Sequence, residues 1–203
     1  MSAETTLALA VAVPAQLVQV DALMRLAFAP YIRRLGREIT ADAYGWFAEA
    51  IVKGDIYIAL DGSEIVGAIA TRPRDADMEL ALIGVSPTRQ KSGIASFMIN
   101  RVAEIARSRG LKTLSLNTAE MMEDRIRLYR RHGFSIVRRG LPEHGKDPHM
   151  RVHMERVLES SHALLDRELP ARSYAHMNAL DHERAGCARS NEDEATTSPG
   201  GNA

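Results

Sequence analysis

Residues 85–95 read Val-Ser-Pro-Thr-Arg-Gln-Lys-Ser-Gly-Ile-Ala and join a nearly continuous apolar run to a strongly amphipathic one. A strand that ends in a small-residue turn and opens a helix aims several free backbone N–H groups outward, and such a turn suits phosphate groups. Gln90, Lys91, Ser92, Gly93, Ile94 and Ala95 form the candidate cradle. Gly93 removes a Cβ and Ala95 keeps the approach shallow. The N–H groups of residues 91–95 are the donors, and the Arg89 and Lys91 side chains offer charge. The same residues also read as an ordinary surface turn capping a helix, so the rest of the chain must decide. Three further polar side chains stand out. Glu79 is the one carboxylate of the apolar run 78–85, Asn117 follows the alternating run 111–116, and Tyr129 lies in a basic helical stretch.

The elements that would position these residues follow from periodicity. Residues 7–13 read as a first strand, and Pro14 suits the opening of a helix. Apolar residues from Leu17 to Phe28 recur at helical spacing until Pro30, which is expected to interrupt them. Thr40 is expected to cap a second helix that Gly54 closes. Two β-rich runs around Asp61-Gly62 predict a hairpin, with a turn over 72–77 before the next strand, 78–85. Residues 94–108 form a helix with Ile94, Phe97, Met98, Val102, Ile105 and Ala106 on its buried side. Then come a strand over 111–116, a short helix over 123–131, and strands over 134–138 and 149–157. The order is strand, two helices, hairpin, strand, helix, strand, helix, two strands. It predicts an α/β fold with a mixed sheet and helices on both faces.

With Gln90-x-x-Gly93-x-Ala95 placed after the fourth strand, this order resembles the GCN5-related N-acetyltransferase (GNAT) family. An independent run, Leu128-Tyr129-Arg130-Arg131-His132-Gly133-Phe134, is similar to the Leu-Tyr-x-x-x-Gly-Phe ending of that family's fourth helix. The resemblance covers roughly residues 7–158. It implies the acyl-CoA N-acyltransferase fold, a mostly antiparallel sheet of six to seven strands. It also implies acetyl-CoA as co-substrate, with the pyrophosphate at Gln90 to Ala95. The pantetheine arm would run along Ile83 and Val85 on a splayed fourth strand whose bulge Gly84 would tolerate. Tyr129 would donate a proton to the coenzyme sulfur. Thiols have a pKa of about 8.5, so the thiolate is a fair leaving group and an acid helps without being essential. Amine acceptors, with a pKa of about 10.4, need a base. Family members often place a Glu on the fourth strand, which here implies Glu79, although the comparable branch puts it at the position of Ala81. Many members also carry Asn where this chain has Met122 and Arg125, leaving Asn117 as a polar contact to pantetheine or acceptor.

The 203 residues allow one domain, expected over 1–158, and a tail over 159–203, partly helical and then disordered. Lys plus Arg and Asp plus Glu are equal at 26 each, which argues against a nucleic-acid or membrane-surface partner. The single cysteine, Cys187, lies in the tail and excludes an intrachain disulfide. His144, His149 and His153 lack ligand spacing, so no metal is expected. With no apolar run of membrane-spanning length, a cytoplasmic protein is the default. The expected activity is direct transfer of an acetyl group to a primary amine in a ternary complex. A small-molecule acceptor is favoured, entering between residues 30–37 and 140–148, and homodimerisation is left open. The alternatives are a coenzyme A-binding sensor of low catalytic power on the same fold and an interaction module recruiting a partner through the tail.

Overall fold

The computed structural model describes residues 7–142 and 148–158. The tail expected over 159–203, Cys187 and His144 lie outside them. In chain order the elements are β1 (Leu7–Val11), α1 (Leu17–Arg34), α2 (Phe47–Val52), β2 (Ile56–Asp61), β3 (Glu64–Arg74) and β4 (Asp77–Val85). There follow α3 (Ile94–Ser108), β5 (Thr113–Ala119), α4 (Glu123–Arg131), β6 (Ser135–Gly140) and β7 (Arg151–Val157). The strands form one seven-stranded sheet in the order β1-β2-β3-β4-β5-β7-β6. Only β4 and β5 run parallel, because α3 crosses between them; every other pair is antiparallel.

Two apolar layers hold the sheet. One packs Met98, Val102 and Ile126 of α3 and α4 against Ile69, Met78, Leu114 and Met154. The other packs Met24, Phe28 and Phe47 of α1 and α2 against Ile56, Ile58, Ala68 and Ala70. Burying an Ile, Met or Phe side chain is worth roughly 1.5–3 kcal/mol, so these layers, not local propensity, fix both helix pairs. Along α3 the buried positions include Ile99 and Ala103, while Phe97 and Ile105 are only partly covered.

Three expectations need correction. Pro30 does not stop α1, which runs on to Arg34. A proline costs a helix one N–H bond, here to the carbonyl of Leu26, but Leu26 and Pro30 both face solvent, where water replaces it. Thr40 does not cap α2, which begins at Phe47 after a run of turns. The Arg25 guanidinium binds the carbonyls of Thr40 and Ala41 at 2.9 and 2.7 Å and holds that stretch out of a helix. The turn expected over 72–77 is shorter. β3 reaches Arg74, and Asp75, at φ 42°, makes a tight reversal into β4.

The feature that matters for function is the β4–β5 pair. Its ladder holds only Asp77 to Thr113, Met78 to Leu114 and Glu79 to Ser115. Asp77 clamps that end, accepting from the hydroxyls of Thr113 at 2.8 Å and Ser115 at 2.5 Å. Beyond it the strands part, while β4 stays paired to β3 along its other edge as far as Val85. A V-shaped opening results, with unpaired backbone groups along the β5-facing edge of β4.

Candidate active site

The rim of the V is the turn from β4 into α3. A short 3-10 turn over Pro87–Arg89 leads to Lys91 at φ 65° and Gly93 at φ 86°. Left-handed backbone at a non-glycine residue costs roughly 1–2 kcal/mol, and an observed outlier of this kind points to a functional constraint. Gly93 is the N-cap of α3, with no side chain capping the helix and no acidic residue in its first turn. The first-turn N–H groups therefore have no capping side chain and are open to water or a ligand. A Cβ built on Gly93 meets nothing within 4 Å, so the space before these donors is open. Ser92 donates its hydroxyl to the Arg89 carbonyl at 2.5 Å, and the Gln90 amide lies 3.4 Å from the Val85 carbonyl; both side chains shape the turn. Ile94 is buried beneath it, and Ala95 is half-buried. Arg89 does not offer its charge to this site. Its guanidinium is tied to Asp61, with Glu64 at 3.6 Å, and straps the turn to the β2–β3 hairpin. Lys91 is exposed and makes no hydrogen bond or ion pair among the described residues.

Along the arm of the V, the bulge is not at Gly84. Thr71 pairs with Leu80 and Ala70 with Leu82, leaving Ala81 as the extra residue. The bulge resets the alternation: Leu80 faces the α3–α4 layer, whereas Leu82 faces the α1–α2 layer. Gly84 serves close packing instead. A Cβ there would lie 2.5 Å from the Met24 sulfur and 3.2 Å from the Ala27 Cβ, so α1 crosses directly over it.

A cleft of about 460 Å³ opens through the V. Leu80 to Ile83 form one wall, Asn117 and Thr118 the other, and Tyr129 closes it from α4. Phe28 and Tyr31 of α1, and Tyr44 and Trp46 ahead of α2, line the opposite end. Tyr129 is 8% exposed, and its ring sits edge-on to Phe134 at 6.0 Å. Its hydroxyl has no hydrogen-bond partner among the described residues. Burial pushes this phenol's pKa above its ordinary value, against a smaller opposing effect of Arg125, so the hydroxyl keeps its proton. Asn117 lies where this cleft meets a broader groove of about 1020 Å³ across β4, β5, β7 and β6. Glu79 lines that groove, not the cleft. Its carboxylate accepts from Arg74 at 2.7 Å, with Arg72 at 3.9 Å. Val85, the last residue of β4, packs against the α3–α4 layer. Of the residues singled out in the sequence, Ile83, Asn117 and Tyr129 line the cleft; Val85 and the Gln90–Ala95 turn are not among its lining residues, and Glu79 lies in the adjoining groove.

Sequence reasoning missed Glu38 as part of this cleft and took Arg125 only as one of a basic stretch, standing where many family members carry Asn. For Arg125 a signal existed: it precedes Tyr129 by four residues, so both share one face of α4. Among the described residues no group of three or more His, Cys, Asp or Glu side chains is placed to hold a metal. His149 lies 3.1 Å from the Leu35 carbonyl, and Arg138 donates to His153 at 3.0 Å.

The residues match the model of the Acetyltransferase (GNAT) family over 20–134, more than half of the chain. The chain belongs to the GNAT family. Its GNAT region includes both the Gln90–Ala95 turn and Tyr129. Solved structures agree on the fold. The PaiA N-acetyltransferase of Thermoplasma acidophilum, solved with coenzyme A, is 14% identical with a TM-score of 0.60, covering 75% of this chain and 99% of its own. The ribosomal-protein-S18-alanine N-acetyltransferase of Escherichia coli is 13% identical, TM-score 0.59, covering 77% and 96%. Arabidopsis thaliana Naa50, solved with the bisubstrate analogue CoA-Ac-MVNAL, is 20% identical, TM-score 0.60, covering 74% and 97%. Comparison with curated proteins finds no match. Among the described residues no helix is long and apolar enough to cross a membrane.

The GNAT turn carries one further device. His132, at the end of α4, lies 2.9 Å from the Ser96 hydroxyl in the first turn of α3, and its other nitrogen lies 3.1 Å from the Asn100 side-chain oxygen. With the Nδ1 proton donated to Asn100, Nε2 accepts from Ser96. Burial, helped by Arg156 and Arg131, lowers the His132 pKa. The folded chain then binds this proton less readily than the unfolded chain. Its contribution to stability is complete above about pH 6.5 and is lost as pH falls below that value. The melting temperature is expected to drop between pH 7 and 5.5, and H132Q is expected to flatten that dependence. Thermal melts of both proteins across the range check this.

Proposed function

We propose that this chain transfers an acetyl group from acetyl-CoA to a primary amine by direct attack within a ternary complex. The observation that carries the reading is the V between β4 and β5, with open helix N–H groups at its rim and a partnerless phenol at its wall. The coenzyme A held by the Thermoplasma acidophilum relative and the analogue held by Arabidopsis Naa50 support it. The pyrophosphate lies on the N–H groups of residues 91–95, with Lys91 adding positive charge. The pantetheine arm adds to the open edge of β4 at Ile83 and Val85 as an extra strand would, and Asn117 meets it from β5.

The amine nitrogen attacks the thioester carbonyl, the carbon–sulfur bond breaks, and the departing sulfur takes the Tyr129 proton. The amine's own proton leaves through water toward Glu79, the buried carboxylate of β4, since Glu79 lines the adjoining groove. Holding amine and thioester together among oriented backbone dipoles supplies most of the acceleration. General-base help is typically worth about 10²–10⁴-fold, so E79Q is expected to lower kcat by about 100-fold at neutral pH while the acetyl-CoA dissociation constant stays unchanged. Steady-state kinetics beside calorimetry test this. An E79Q protein of full activity would remove Glu79 from the mechanism, and a wild type that binds acetyl-CoA but acetylates no amine would favour the sensor reading.

A further inference from the structure

The acceptor end of the cleft is rich in arginine. Among the described residues, four arginines line it (Arg37, Arg72, Arg125 and Arg151), against the single carboxylate of Glu38. Aromatic residues meet three of them. The Arg125 guanidinium lies 4.4 Å from the centre of the Tyr31 ring and 5.2 Å from that of Phe28. Arg72 lies 4.6 Å over Trp46, and Arg151 donates to the Tyr31 hydroxyl at 2.7 Å. Arg125 differs from the others in one respect. Its guanidinium makes no hydrogen bond or ion pair to any described residue, so the ring faces hold its plane while its five N–H donors stay unused. It stands one helical turn before Tyr129 on the same face of α4.

A simple cationic amine entering here meets the Arg125 guanidinium, a charge of its own sign. A guanidinium plane with unused donors instead suits a carboxylate, which it binds through two parallel N–H···O bonds. Resting on the acetyl-CoA reading above, we propose that the acceptor is a small amino acid with an apolar or aromatic side chain. Its carboxylate is held by Arg125, its side chain lies among Phe28, Tyr31 and Trp46, and its amine is directed to the thioester beside Tyr129. In an α-amino acid one carbon separates amine from carboxylate, so anchoring the carboxylate on one turn of α4 brings the nitrogen close to the group on the next. The amine nitrogen forms the new bond to the acetyl carbon, the thioester bond breaks, Tyr129 protonates the sulfur, and the amine proton passes to water and base. The products are an N-acetyl amino acid and free coenzyme A.

The experiment compares matched acceptors. With acetyl-CoA saturating, kcat/KM is measured for phenylalanine and leucine beside phenethylamine and isopentylamine, which lack only the carboxylate, and beside phenylalanine methyl ester. The wild type is expected to favour an acid over its decarboxylated amine by about 100-fold, near the upper end of what hydrogen bonds to a charged group contribute. R125Q is expected to reduce that ratio to below about tenfold by raising KM for the acid, and R125K to restore part of it. Acetyl-CoA affinity, read by calorimetry on each protein, is expected to stay constant. Decarboxylated amines or the ester used as well as the acids would overturn the proposal, as would R125Q lowering both members of a pair equally. Acetyl-CoA binding with no turnover of either amino acid would overturn it while leaving the coenzyme reading in place. Absence of acetyl-CoA binding would overturn both.

Discussion

G93D is expected to weaken acetyl-CoA binding about 100-fold in calorimetry without unfolding the protein. The substitution sets a carboxylate before the helix N–H groups proposed to receive the pyrophosphate. Two like charges about 4 Å apart cost from about 1 kcal/mol in water to about 4 kcal/mol at the effective dielectric of a protein surface, and each 1.4 kcal/mol is tenfold in affinity. The backbone must be considered separately. Gly93 adopts φ 86°, where any side chain is strained. G93A carries the same strain without the charge, and its Cβ projects into open space. G93A is therefore expected to lose stability as G93D does but to keep most of its affinity. Equal affinity losses in both variants would mean that turn geometry, not charge at the phosphate, is being read.

Y129F is expected to lower kcat by about 100-fold, the low end of general-acid effects, because the thiolate leaves fairly well unaided. KM for acetyl-CoA should not move. Stability should hardly change either. The lost hydroxyl has no hydrogen-bond partner among the described residues, so no buried partner is orphaned, and the ring keeps its edge contact with Phe134. That combination of lost rate and retained melting temperature separates a proton donor from a core tyrosine. The sign of the pH effect is also set. Burial raises the phenol pKa, so the wild type should show no loss of acid catalysis from this group below about pH 10. The folded chain holds this proton more tightly than the unfolded one, and stability should fall as pH rises beyond that value. A kcat unchanged in Y129F would assign the tyrosine to packing.

Local signals carried most of this architecture. Helices α3 and α4 begin and end at the residues their apolar spacing and closing Gly110 and Gly133 imply. The conformation of the turn from Gln90 to Ala95 is legible because it is a backbone feature, written in the placement of Gly93. What sequence could not give were consequences of packing. Pro30 stays inside α1 because the freed carbonyl faces water, which no local pattern records. The bulge sits at Ala81, not Gly84, because Gly84 is occupied by the approach of Met24 and Ala27. Arg125 reads as part of a basic stretch until α1 brings Phe28 and Tyr31 against it. The Arg125 end of the cleft is assembled from α1, the segment before α2, β4 and α4, and such long-range meetings leave no mark on any one of them.

The central claim is that acetyl-CoA lies in the V between β4 and β5. A crystal structure of the chain with acetyl-CoA tests it most directly. The expected result has pyrophosphate oxygens about 3 Å from the N–H groups of residues 91–95, pantetheine amides paired with the edge of β4, and the thioester sulfur within hydrogen-bond reach of the Tyr129 hydroxyl. A coenzyme bound away from that opening, or none bound at millimolar concentration, would contradict it.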